Sequence, residues 1–254
     1  MAIRARRIRP DERRKLTRAL GDTPESVISI HVLSHGLADA YVAGDVARPD
    51  GVIVQGALVP GELMSFSLDT AVLWELLRIM AGWWCISVAE ACAGDLGAMI
   101  EAQTGSKARY YADIYHVLRD PAARLHHEAT RLLTPEDLEL VEAAPAEIRG
   151  SGWGSALEML EEGVAAGAVV AGRLVSLAFT SARSSEHADV AVNTLEEWRG
   201  RGLATASASV VAQRLQEAGQ TPVWSTGEDN LGSLRVARKL GFAPVTRRIY
   251  VIPE

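Results

Sequence analysis

The stretch Trp198-Arg199-Gly200-Arg201-Gly202-Leu203-Ala204-Thr205 follows an apolar run, Asp189-Val190-Ala191-Val192, and opens into an amphipathic segment. Those residue types at that spacing suit an anion. Glycine lets the backbone turn tightly and present its N–H groups at close range, and the start of a helix carries partial positive charge. Two arginines add formal charge at the same place. The chemistry read here is phosphate binding at a strand-to-helix turn. A glycine pair at such a turn also serves plain chain reversal, so the flanking segments carry the rest of the argument.

Before the turn, Glu186 to Thr194 reads as a strand on which His187, Asp189, Ala191 and Asn193 share one face and Ala188, Val190 and Val192 the other. After it, Ala204, Ala208, Val211 and Leu215 make one helical stripe over 203–218, which Gly219 stops. Ala204, Thr205, Ala206 and Ser207 are small, so the helix start stays open to a ligand. A strand at 223–226, a helix at 233–240 and a strand at 244–252 follow. Upstream, 128–132 reads as a strand. Thr134-Pro135-Glu136-Asp137 has the threonine cap, first-turn proline and acids of a helix start. Residues 154–162 suggest a helix, and 169–180 a hairpin turned at Gly172.

The first half opens with a helix over 10–20, ended by Gly21, and with short β-branched segments at 26–32, 40–46 and 52–58 that suit antiparallel strands. From Leu63 the order becomes strand 64–68, helix 70–80, strand 84–89, helix 95–104 and strand 108–118. That is the order of the second half, so an internal duplication is one reading. The first copy lacks the anion turn, since neither glycine nor arginine stands between Leu68 and Leu73. Asp120-Pro121 marks the expected boundary between an N-terminal α/β domain, 1–121, and a C-terminal domain, 122–254. The fold class is α+β, a mixed sheet layered with helices.

The composition, 48% apolar and 23% charged over 254 residues, is that of a globular chain with a packed core. A net charge of −6 gives no basic excess for nucleic acid. The apolar stretch 70–89 is interrupted by Glu75, Arg78 and Gly82, which argues for buried elements and against a membrane span. A cytoplasmic protein is expected, as a monomer or homodimer. Cys85 and Cys92 do not have redox or metal spacing. His126 and His127 are adjacent and point to opposite faces of a strand, so no metal is expected.

Arg199-x-x-Gly202-x-Ala204, with Asn230-x-x-Ser233 and Arg238-Lys239-Leu240-Gly241-Phe242 downstream, resembles the two landmarks of the GNAT superfamily of N-acetyltransferases. Thr221-Pro222-Val223-Trp224 further resembles a bacterial subgroup that includes the zwittermicin A resistance acetyltransferase. The resemblance implies a GNAT-type C-terminal domain with a central mixed, mostly antiparallel sheet flanked by helices, the preceding domain being a degenerate copy under the duplication reading. It implies acetyl-CoA as co-substrate, with the pyrophosphate on the backbone of Arg199, Gly200, Arg201, Gly202, Leu203, Ala204 and Thr205. The pantetheine arm would pair with Val192, Asn193 and Thr194, Asn230 would bond the arm or its loop, and Ser233 would start the next helix beside it. The implied reaction is direct attack of a small-molecule amine on the thioester. Asp189 and then Glu186 are the candidate bases. The tyrosine that many members place seven residues after the asparagine is Ala237 here, which leaves the general acid open. A dinucleotide fingerprint is a weaker reading, since Thr205 stands where a third glycine is needed. A CoA-binding sensor or partner-binding module without catalysis is the non-enzymatic alternative.

Overall fold

The computed structural model describes residues 4–150 and 152–254. Along the chain run β1 (Ala5–Arg7), α1 (Arg13–Leu20), α2 (Val27–Ser34), β2 (Ala38–Asp45), β3 (Arg48–Gly56), β4 (Glu62–Phe66), α3 (Thr70–Leu77), β5 (Cys85–Ala89), α4 (Glu90–Thr104) and β6 (Ala108–Val117). There follow β7 (Thr130–Leu133), α5 (Leu138–Glu142), α6 (Ala156–Glu162), β8 (Ala165–Val170), β9 (Arg173–Arg183), β10 (His187–Thr194), α7 (Leu203–Glu217), β11 (Thr221–Gly227), α8 (Leu231–Leu240) and β12 (Ala243–Pro253). This is the expected mixed α/β fold.

Two compact units divide the chain. Of the described residues, the first holds 4–22, 29–114 and 246–254, and the second holds 23–28, 115–150 and 152–245. The division falls inside β6, between Ile114 and Tyr115, and inside β12, between Val245 and Thr246. The tail joins the first unit because β12 pairs antiparallel with β5 from Arg248↔Ala89 to Val251↔Ile86. Long-range strand pairing of this kind leaves no trace in local sequence.

In the first unit the strand order is β1-β2-β3-β4-β5-β12, with the start of β6 beyond β12. From β1 to β12 its pairs are antiparallel except β4 and β5, which are parallel. One face carries α3 and α4 over a core that includes Ile53, Leu63, Leu73, Leu76, Ile86, Leu96 and Val251. In the second unit the end of β6 is followed by β11-β10-β9-β8-β7, with only β10 and β11 parallel among the pairs of known register. There α7 contributes Ala208, Val211, Ala212 and Leu215 to a core with Ala178, Val190, Trp224 and Phe242. Both halves of the sequence thus run strand, helix, parallel strand, helix, strand, which supports the duplication reading.

Two expected elements differ. Residues 26–32 are helix α2 instead of a strand, and Val27, Ser29, His31 and Leu33 are all fully buried. A short run that is apolar on every side is compatible with either element, and its packing decides. Helix α4 begins at Glu90, five residues before the expected start, and continues through Gly94 and Gly97. Tyr110 lies against the helix at Gly97, where a Cβ would stand 2.0 Å from the Tyr110 hydroxyl. Among the described residues no helix is long and apolar enough to cross a membrane.

Candidate functional site

β10 and β11 pair over only three residues, His187↔Thr221, Ala188↔Pro222 and Asp189↔Val223. Beyond that point β10 continues to Thr194 and β11 to Gly227 without pairing to each other. The other edge of β10 stays paired with β9 through Val192↔Ala178, Asn193↔Leu177 and Thr194↔Ser176. Val192, Asn193 and Thr194 therefore present one backbone edge to the opening between the parted strands. Backbone N–H and C=O groups there need partners, which water or an extended amide-bearing ligand can supply.

The same strand end feeds the glycine turn. Gly200 and Gly202 have φ of +78° and +82°, a region that other residues enter only with strain. Gly202 is the N-cap of α7, and no side chain caps this helix. Its first amides, from Leu203 to Thr205, are thus left to an external acceptor, with the helix dipole behind them. The Leu203 side chain is buried, so this residue offers its backbone alone. Arg199 turns back to the strand, its Nε donating to Thr194 O at 3.2 Å. Arg201 donates to Glu197 O, and its guanidinium lies 4.5 Å from the centre of the Trp198 ring.

Asn230 caps α8, its Oδ1 accepting from Ser233 N–H at 3.1 Å. The Ser233 hydroxyl accepts from the buried Trp224 indole N–H at 2.9 Å. Ala237 is 1% exposed and belongs to the core, so its position supplies no proton donor.

Asp189 sits where the strands part. Its side chain is enclosed, and the residue is 5% exposed. Oδ2 accepts from Ser181 Oγ at 2.5 Å, and Oδ1 faces Ser225 Oγ at 3.4 Å. Burial pushes its carboxyl up to about 6, while hydrogen bonds from Ser181 and from the hydroxyl and backbone N–H of Ser225 hold it down in part. Glu186 stands on the exposed turn before β10, where its carbonyl accepts from Thr221 N–H. Asp189, and not Glu186, is the carboxylate at the parting.

Ser181 and Ser225 were not among the expected site residues. Ser181 arrives there through a bulge: β9 has one extra residue where the register steps from Asp189↔Ala182 to Val190↔Thr180. The loop before α6 backs this bulge. Trp153 Nε1 donates to Thr180 O at 2.7 Å, and Gly152, at φ +101°, lies so close that a Cβ would stand 2.0 Å from Ser181 O. No local signal announces a bulge. Ser225 was readable as the residue two beyond Val223, on the same strand face.

The sequence profile of the GNAT acetyltransferase family matches residues 115–250, more than half of the chain. No curated protein matches. Among solved structures, a GCN5-related N-acetyltransferase-like protein from Streptococcus suis superposes with a TM-score of 0.67 at 21% identity, covering 96% of this chain and 99% of that one. A GNAT-family acetyltransferase from Colwellia psychrerythraea gives 0.61 at 15%, covering 98% and 99%. A tandem GNAT protein from the clavulanic acid biosynthesis pathway, solved without AcCoA, gives 0.60 at 14%, covering 98% of each chain. At these identities the likeness is one of fold, and it extends over both units. With the profile match across the parted strands, the glycine turn and the capped helix that follows, the chain belongs to the GNAT acetyltransferase family.

Proposed function

We propose that the protein transfers an acetyl group from acetyl-CoA to a primary amine of a small molecule, a metabolite or an antibiotic, by direct attack within a ternary complex. The observation that carries this reading is the opening between β10 and β11 beyond Asp189↔Val223, next to a helix start whose amides no side chain caps. The residues fit the donor. The amides of Gly200 to Thr205 would receive the pyrophosphate, the Arg199 N–H being taken by Glu196 O at 3.1 Å; the edge of Val192, Asn193 and Thr194 would pair with the pantetheine amides, and Asn230 and Ser233 would shape the wall opposite. Acetyl-CoA supplies an activated acyl thioester; the chain supplies position and proton handling.

A free amine near pKa 10 is mostly protonated at neutral pH and must lose a proton to attack. Asp189 is the base in this reading. Its raised pKa of about 6 makes it a better proton acceptor than an ordinary carboxylate and leaves it ionised at pH 7. Because Asp189 is enclosed, the proton reaches it through Ser225, a half-buried hydroxyl on the same strand face. A coenzyme A thiolate leaves with a pKa of about 8–9, so water suffices as its proton source where Ala237 replaces a phenol.

Isothermal titration with acetyl-CoA, paired with a thiol-release assay over a panel of primary amines, tests the proposal. Binding together with thiol release on an amine is expected. Binding with no turnover on any amine favours a CoA-binding sensor, and no binding overturns both readings.

A further inference from the structure

The first unit repeats the parting of parallel strands. β4 and β5 pair at Glu62↔Cys85, Leu63↔Ile86 and Met64↔Ser87, and then β4 runs on to Phe66 and β5 to Ala89 without further pairing to each other. Three parallel pairs followed by separation is the pattern of β10 and β11. What fills the space differs.

Arg248, on β12 beside Ala89, is 4% exposed and reaches across β5. Its Nη2 donates to Ser65 O at 2.6 Å and to Ser87 O at 2.9 Å, and its Nε donates to Ser87 Oγ at 3.0 Å. Ser65 belongs to β4 and Ser87 to β5, so one guanidinium bridges the parted strands. The Phe66 ring covers it, with its centre 5.3 Å from Cζ. These partners are neutral oxygens, and the planar fork of arginine suits several acceptors in one plane. At the helix that follows β4, the Asp69 side chain caps α3 by accepting from Ala71 N–H at 2.9 Å and Val72 N–H at 3.3 Å. A carboxylate of the chain thus holds the amides that α7 leaves uncapped.

We infer that the first unit carries its own internal ligand: the Arg248 guanidinium fills the space between β4 and β5, and Asp69 takes the anion position on α3. This inference rests on the reading of the β10–β11 opening as the acetyl-CoA site. The first unit's counterpart is a guanidinium-holding slot closed to acetyl-CoA, and each chain takes one acetyl-CoA.

Two arms test it. In the first, the wild-type protein is titrated with acetyl-CoA beside Gly202→Trp, which blocks the turn of the second unit. One molecule per chain for the wild type and none for Gly202→Trp are expected; two per chain, or one retained by the variant, would overturn the inference. In the second, Arg248→Ala takes the guanidinium donor from Ser65 O and the Ser87 hydroxyl, and leaves Ser87 O only the donor it has in Ser65 Oγ at 2.8 Å. Millimolar ethylguanidinium should then raise the Tm of Arg248→Ala by about 3 °C in a saturable manner and leave the wild type unchanged. Equal shifts in both proteins, or none in either, would overturn it. A wild type that binds no acetyl-CoA counts against the function proposed above, and the ethylguanidinium arm then decides the slot alone. The titration arm decides it if Arg248→Ala does not fold.

Discussion

The Ser181 hydroxyl lies 2.5 Å from Asp189 Oδ2 because Ser181 is the one residue of β9 left over between the pairs Asp189↔Ala182 and Val190↔Thr180. A regular ladder would hold a carboxylate at this depth with fewer donors. The bulge thus lets a strand keep an ionisable group inside the core at the point where its parallel neighbour departs.

Asp189→Asn follows from that relationship. The folded carboxyl is raised from 3.8 to about 6, so between those values the folded state holds a proton that the unfolded chain has released. Stability conferred by the protonated form is present below about pH 4 and is lost as pH rises to 6, after which the loss is constant. Asp189→Asn should abolish that fall, leaving the variant more stable than the wild type at pH 7 by up to roughly 2–3 kcal/mol. Urea unfolding at pH 4, 5, 6 and 7 measures this. Its acetyl transfer should fall by about 10²-fold or more, whereas Glu186→Gln, on an exposed turn, should stay within a few-fold of wild type.

Ser225→Ala removes a hydroxyl whose bond to Asp189 favours the ionised form, so the Asp189 pKa moves further up. The acid limb of the rate profile should shift to higher pH and the rate on its plateau should drop. Affinity for acetyl-CoA should hold within a few-fold. An unchanged acid limb would remove Ser225 from the proton path.

Gly152→Ala tests the loop behind the bulge. A Cβ there would meet Ser181 O at 2.0 Å on a backbone with φ of +101°. The expected cost is about 2–4 kcal/mol of stability, read by urea unfolding, with a weakened acid limb as the bulge shifts.

Ser233→Ala separates support from ligand contact. It strands the Trp224 indole N–H and should cost about 1–3 kcal/mol. The Asn230 cap on the Ser233 backbone survives, so acetyl-CoA affinity should change by only a few-fold. A loss above tenfold would make the hydroxyl a direct contact.

The glycine turn and the helix start after it were legible from types and spacing alone. Gly200 and Gly202 adopt positive φ where the sequence places them, and the small residues after them start α7 uncapped, because turn chemistry and helix starts are local properties. The order of elements in each half was legible for the same reason, through apolar periodicity. Tertiary structure alone decided the rest. The α2 segment is helical because an all-round apolar run takes the form its packing demands. Ser181 reaches Asp189 only through a register step between two strands. No residue near Arg248 in sequence marks it out, and only the pairing of β12 with β5 carries it between Ser65 and Ser87. Each of these depends on contacts between residues far apart in sequence, whose geometry no local window contains.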